Sequence, residues 1–292
     1  MPARSKSQKY EIAIIGAGTL ASALARALHS KEYRVSEIVS RSNPQSLRRA
    51  RILANRIQSS ATTIQAAEMS ADIVWICVPD DAIAALAEQM TDERDWRGKI
   101  VVHSSGALSS DTLELLRRKG AEVASAHPLM TFVSSSQPKL KGVPFALEGT
   151  AKALTAVETI ISDFEAHAFR IARTEKAAYH AFGFFSSPGI VALIAAAIEV
   201  GKLAGLEGKR VRALMEPIVR QTIDNCFRTS PQQAFSGPVR RGDVETIRKH
   251  LKVLDEHPDL LDLYGSLVRI ALKDLPSANT DSLQRLVNKT RP

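Results

Sequence analysis

The sequence predicts an α/β fold over residues 1–173, with parallel strands alternating with helices, and an all-helical fold from residue 174 to residue 292. Three observations carry this reading. The apolar run Ile12 to Ile15 breaks into a glycine turn, and Leu20, Leu24 and Leu28 then recur at helical spacing. Short β-forming runs alternate with helical stretches as far as Phe169 to Ala172. From Glu175 onward the strands cease and apolar residues repeat every three to four positions.

Gly16-Ala17-Gly18-Thr19-Leu20-Ala21 reads Gly-x-Gly-x-x-Ala between a strand and a helix. In that setting Gly16 permits the tight turn, Gly18 lets the backbone approach a pyrophosphate, and Ala21 lets the helix pack closely on the strand. Thr19 and Leu20 open a helix whose unpaired N–H groups and dipole favour phosphate. The second strand, Tyr33 to Ser40, ends in Ser40-Arg41-Ser42-Asn43. An acid at this position would bind a ribose 2′-hydroxyl, whereas a cation with two hydroxyls suits a 2′-phosphate. The expected cofactor is therefore NADP(H), with Ser40, Arg41 and Ser42 at its phosphate; the alternative is a solvated turn before Pro44. Arg48, Arg49 and Arg51 on the next helix add to the field or face water.

Asp72 to Pro79 is the clearest later strand, and Asp80 or Asp81 is expected to cap the helix Ala82 to Met90. Val78 and Pro79 fall at the strand's carboxyl end, where open α/β sheets bind ligands, and are candidate nicotinamide-ribose contacts. Lys99 to His103 forms another strand, leading into Ser104-Ser105-Gly106 and a helix over Ser109 to Lys119. Ala121 to Ala126 follows and stops at His127-Pro128-Leu129. A residue before proline is biased toward extended backbone, so the His127 ring is expected to project from the sheet's rim. Phe145 to Leu147 and Phe169 to Ala172 read as weaker strands around the helix Ala151 to Phe164, and the domain boundary is placed at Thr174.

In the second half, helices are expected over Ile190 to Leu206, Val211 to Phe227, Val244 to Leu254 and Leu260 to Leu275. Ile190 to Ala204 has little polar surface and is expected to be the central, buried helix. Its apolar core, Ile190 to Val200, is too short to span a bilayer. Gly237 to Asp243 reads as a rigid turn with Asp243 as a helix N-cap. The tail from Ser277 is expected to fray.

A formal charge of +8 raises the question of nucleic acid, but part of it lies in the polar arm Met1 to Lys9, which is expected to be flexible, and the rest is scattered without interleaved aromatics. No nucleic-acid or membrane partner is expected. The arm lacks the apolar segment of a signal peptide, and the two cysteines, Cys77 and Cys226, point to a reducing cytoplasm. The seven histidines form no tight ligand pattern, so no metal is expected.

A Rossmann-type strand series followed by a helical half resembles the superfamily of 6-phosphogluconate dehydrogenase, β-hydroxyacid dehydrogenases and pyrroline-5-carboxylate reductase. A closer resemblance is to an uncharacterised branch of NADP-type oxidoreductases with a C-terminal domain of unknown function. It rests on Val102 to Gly106, His127-Pro128-Leu129, Lys176-x-x-Tyr179-His180 and Ser236 to Asp243. The resemblance implies that Ser104, Ser105 and Gly106 help hold a substrate carboxylate. It also implies that Lys176 and His180, which share a helix face at i,i+4, serve as acid and orienting donor. His127, from the opposite domain, is the rival acid. Tyr179 is implied at the substrate, and Arg240 or Arg241 would reach an anionic substrate or a partner subunit. A homodimer through the long apolar helices is implied as well. One departure stands out: where the branch has Ser-Asn, this chain has Ser187-Pro188, which removes an amide and a backbone donor and is expected to break the helix.

Two functions follow from these residues. The first is an NADP(H)-dependent oxidoreductase acting on a small, anionic carbonyl or imine compound in a cleft between the domains. The second, motivated by Pro188, is a sensor that binds NADP(H) or a metabolite without turnover.

Overall fold

The computed structural model describes residues 9–91, 95–133 and 138–288; of the basic arm only Lys9 is among them. They fall into two compact units, Met1–Pro188 and Gly189–Pro292.

The first unit is built on an eight-stranded sheet in the order β3-β2-β1-β4-β5-β6-β7-β8. Its strands are β1 (Ile12–Ile15), β2 (Val35–Ser40), β3 (Ser60–Thr63), β4 (Ile73–Ile76), β5 (Ile100–His103), β6 (Glu122–Pro128), β7 (Pro144–Gly149) and β8 (His167–Arg170). All neighbours are parallel except β6 and β7. Helices α1 (Thr19–Ser30), α2 (Pro44–Arg56), α3 (Asp80–Met90), α4 (Glu114–Arg118) and α5 (Ala151–Asp163) are interspersed with the strands. The fully buried runs of β1, β4 and β5 explain why these strands are readable: a parallel strand covered on both faces is a near-continuous apolar run, broken here only by His103 at the end of β5. β3, Ser-Ala-Thr-Thr, escaped the sequence reading because it is a short, partly exposed edge strand with no apolar signal.

Two core layers hold the sheet. One packs Ile12, Ile14, Leu24, Leu28 and Trp75 with α1 and α5, and the other packs Ile15, Val74, Ile76, Ile83 and Trp96 with α3. The chain reverses its direction across the sheet between β1 and β4, so the crevice at their carboxyl ends is a topological switch point.

Sequence placed the domain boundary at Thr174, whereas the compact unit runs on to Pro188. The reason is α6 (Lys176–Ser186), whose Lys176 and Tyr179 are buried and bonded to residues of the sheet. Pro188 does break the helix: α6 ends at Ser186, Ser187 leaves helical geometry, and α7 (Pro188–Leu203) starts anew.

In the second unit, α7 is followed by α8 (Gly208–Arg228), α9 (Pro231–Ala234), α10 (Pro238–Arg241), α11 (Val244–Leu254), α12 (Pro258–Asp274) and α13 (Thr280–Asn288). Its small core joins Ile247 and Leu251 of α11, Val268 and Leu272 of α12, and Leu283 and Val287 of α13. The tail therefore does not fray from Ser277, because α13 buries two side chains there. Asp243 caps α11 as expected, accepting from the Thr246 N–H at 3.0 Å.

The expectation of a buried central helix fails. α7 has no buried residue, Val191 is 65% exposed, and on α8 Phe227 is 89% exposed. The stretch Arg173–Leu203 is long and apolar enough to cross a membrane by length and composition alone, but it is two helices parted at Ser187, and the first, α6, bonds to the sheet through Lys176 and Tyr179.

Candidate active site

The glycine turn lies at the switch point. Gly16 has φ +121°, and a Cβ there would meet the Cys77 carbonyl oxygen at 2.2 Å, so the position requires glycine for the turn and for close contact with the end of β4. Gly18 differs, since a Cβ there would enter open space. It is the N-cap of α1, with no side-chain cap and no acid in the first turn. Among the described residues, the N–H groups of Gly18, Thr19, Leu20 and Ala21 find no acceptor. An uncapped helix start facing open space matches the chemistry of a phosphate group.

Ser40 ends β2, next to β1, with its hydroxyl on the Arg41 carbonyl, and Arg41 and Ser42 are exposed. Glu37, the acid on that strand, is buried and committed to the N–H groups of Met69 and Glu68 at 2.8 and 3.3 Å. No acid of β2 is free for a ribose. Val78 and Pro79 follow β4 at the other side of the crevice, and Pro79 rather than an aspartate occupies the N-cap of α3. Asp80 is instead drawn to Ser105.

Beyond the crevice, a buried polar row crosses the sheet. His103 pairs with Ser125 on β6, and Ser125 pairs with Glu148 on β7. Registered neighbours share a face, and these three are at most 4% exposed. Lys176 of α6, itself 2% exposed, covers the row, donating to Ser125 Oγ at 2.6 Å and to the Ser105 carbonyl at 2.8 Å. Ser125 Oγ in turn donates to the Ser105 carbonyl at 3.2 Å. Lys176 is thus no solvated lysine. Burial lowers its ammonium to about 8, against the pull of Glu148 and Asp80.

The Ser-Ser-Gly turn is braced from inside. Ser105 Oγ donates to Asp80 Oδ2 at 2.7 Å and accepts from the Ala107 and Leu108 N–H groups. Its hydroxyl is not free for a substrate carboxylate, contrary to expectation. Ser104 Oγ accepts from Trp75 Nε1 at 2.9 Å and lies 4.0 Å from Cys77 Sγ. His103 donates from Nε2 to the Ser109 carbonyl and accepts the Ser105 N–H on Nδ1, which sets its tautomer, and burial lowers it to about 4.

Gly106 sits against two imidazoles. A Cβ there would lie 2.9 Å from both His127 Nε2 and His180 Cδ2, so only glycine lets the turn approach them. His127 Nδ1 bonds the Tyr179 hydroxyl at 2.8 Å, and its ring meets Tyr179 and His180 edge-on. Burial first, then the nearby Lys176 and His180, lower His127 to about 4, while burial raises the Tyr179 hydroxyl to about 12. Sequence assigned His127 to the domain opposite Lys176, but both lie in one compact unit because α6 packs on the sheet. Tyr179, expected at the substrate, holds His127. Lys176 and His180 share α6 as expected, with Lys176 buried and His180 exposed. Arg241 lies in the second unit on α10, exposed, while Arg240 braces the Gln232 and Phe235 carbonyls.

Asp80, Ser125 and Glu148 were missed as site residues. Asp80 reads in sequence as a helix cap, and a serine and a glutamate within strands carry no motif. Their only sequence signal was polarity inside otherwise apolar runs.

Comparison with known proteins divides the chain earlier, between β6 and β7. Residues 2–128 match a Rossmann-like domain, and residues 143–270 match a domain of unknown function, DUF2520. The DUF2520 match begins at β7, so this domain contributes Glu148, Lys176, Tyr179 and His180 to a site whose remaining residues are Rossmann-like. No curated protein is similar in sequence. Among solved structures, a candidate NADP oxidoreductase from Bacteroides fragilis is 25% identical with a TM-score of 0.73, covering 89% of this chain and 97% of that one. Protein TM1727 from Thermotoga maritima is 24% identical with a TM-score of 0.70, over 96% and 100%. An imine reductase from Myxococcus stipitatus is 19% identical with a TM-score of 0.64, over 96% and 100%. Fold and matches together make this chain a two-domain protein in which a Rossmann-like domain precedes a DUF2520 domain.

Proposed function

We infer that the protein is an NADP(H)-dependent oxidoreductase acting on a small, anionic C=O or C=N compound. The observation that carries this reading is the placement of the buried Lys176 amine on the Ser105 carbonyl, at the same sheet edge as the uncapped glycine turn. The similarity to a candidate NADP oxidoreductase supports it. Gly16 to Ala21 would hold the pyrophosphate, Ser40, Arg41 and Ser42 the 2′-phosphate, and Val78 and Pro79 the nicotinamide ribose. NADPH, when bound, supplies the hydride.

The chain's own residues then handle the proton. Lys176 carries one at neutral pH and lies near enough to neutrality to release it. His127 is neutral there and has one nitrogen engaged by Tyr179, which makes it the weaker acid. His180, exposed beside Gly106, would orient a substrate heteroatom. Lys176, the Ser104 hydroxyl and the Gly106 turn supply donors for a carboxylate.

A second reading, a sensor that binds without turnover, draws on the break at Pro188, about two helical turns beyond the site residues of α6. One experiment separates the two. NADPH is mixed with the protein and a panel of keto acids, imines and aldehydes, and the absorbance of the reduced cofactor is followed. Consumption with a member of the panel supports the enzyme; tight binding with no consumption favours the sensor.

The exposed apolar faces of α7 and α8 support a homodimer formed through the helical unit. Cys77 and Cys226 are unpaired, in keeping with a cytoplasmic location.

A further inference from the structure

Glu148 is a buried carboxylate that the reading above does not use. It stands opposite Ser125 in the β6–β7 register, on the face that Lys176 covers. Yet it makes no bond to the lysine. Its oxygens are filled by the Ser110 N–H at 2.6 Å, the Ser110 hydroxyl at 2.7 Å and Arg173 Nε at 3.4 Å. Arg173 is itself tied to Asp111 at 2.7 Å. Three contacts therefore keep the carboxylate turned toward Ser110 and Arg173, and Asp111 steadies the arginine.

We propose that Glu148 is a positioning residue for Lys176, anchored one strand from the lysine's serine partner so that it holds the lysine's proton through its field and not through a salt bridge. The inference rests on reading Lys176 as the proton source. A contact ion pair would clamp the proton, and an apolar surrounding would expel it. A carboxylate at a fixed remove does neither. Other charged or titratable groups face the lysine as well: Asp80 on α3, His103 on β5, His127 on β6, and Tyr179 and His180 on its own helix. Asp80 is exposed and screened by water, and both strand histidines are neutral above about pH 4. Glu148 is the buried charge among them.

The test is an NMR titration of protein labelled with carbon-13 at the lysine ε-carbon, with the Lys176 signal assigned by its absence in Lys176→Met. Lys176 is expected to titrate below the surface lysines. Glu148→Gln should move its midpoint down by about one pH unit, and Glu148→Asp should restore most of the shift. Arg173→Gln, which removes the cation beside Glu148, should move the midpoint up. A loss of packing alone would not move the two variants in opposite directions. An unchanged midpoint in folded Glu148→Gln overturns the proposal, as does a lysine that titrates with the surface set. Should Glu148→Gln not fold, Arg173→Gln decides, and an unchanged or lowered midpoint overturns it. The titration uses neither cofactor nor substrate, so failure of NADPH binding or turnover would sink the oxidoreductase reading while leaving this measurement intact.

Discussion

Lys176 donates to Ser125 across 2.6 Å, joining the first helix after the last strand to the middle of a sheet strand 51 residues earlier in the chain. This bond, with its companion to the Ser105 carbonyl, makes one structure of the Ser-Gly turn, the buried polar row and α6.

Replacing Lys176 with methionine keeps the length of the side chain and removes the charge. Ser125 still bonds the Ser105 carbonyl, and the desolvation cost of a buried ammonium disappears. Thermal stability is expected to hold or rise and NADPH affinity to stay unchanged, while turnover drops about 100-fold or more. Loss of NADPH binding in a titration would contradict this.

The two glycines of the turn should separate. Gly16→Ala forces a Cβ onto the Cys77 carbonyl at positive φ and should destabilise the fold by about 2–4 kcal/mol. Gly18→Ala meets no protein atom, so chemical denaturation should scarcely change while NADPH affinity falls about 10-fold or more. Equal effects on stability at the two positions would show that Gly18 is structural.

NADPH should bind more tightly than NADH, and Arg41→Asp should narrow or reverse the difference. Arg41 is exposed at the end of β2, so the substitution leaves the fold intact. Equal affinities for the two cofactors in the unmodified protein would end the argument for a 2′-phosphate site.

Acid should weaken the fold through His103 and His127. Each is lowered from 6.5 to about 4 by burial. In the unfolded chain both take a proton as pH falls through 6.5; in the native protein neither does until about 4. The unfolded state thus binds more protons in that window, and stability falls as pH falls across it. His127→Gln removes one of the two contributions, so urea midpoints measured across the window should fall less steeply. Lys176, lowered from 10.5 to about 8, acts in a separate window: the unfolded chain again binds more protons there, and stability rises as pH rises from 8 to 10.5.

Light scattering should give the mass of a dimer, and Val191→Arg on α7 should reduce it to that of a monomer. The variant places a charge in an apolar face that is exposed in the single chain. A monomer mass for the unmodified protein would leave that face to another partner, a membrane included.

Much of the fold is legible in the sequence. β1, β4 and β5 announce themselves because strands buried on both faces are near-continuous apolar runs, and α11 because its cap and its periodicity agree. β3 did not, being a polar edge, and the burial of α7 was misjudged because an apolar helix reads the same whether its own chain or another surface covers it. At the site, the glycine turn, the Ser-Gly turn, His127 and the Lys-x-x-Tyr-His stretch were all visible as motifs. What each side chain does there was not.

The sequence by itself determined the order of strands and helices, the glycine turn and the break at Pro188, because propensity, periodicity and proline stereochemistry act over a few residues. Only the tertiary structure decided that α6 packs on the sheet, that Tyr179 holds His127, and that Ser105 spends its hydroxyl on Asp80. Strand register then set Glu148 beside Ser125 and beneath Lys176. Partners so far apart in the chain meet only when register and packing bring them together, and no local pattern encodes such a meeting.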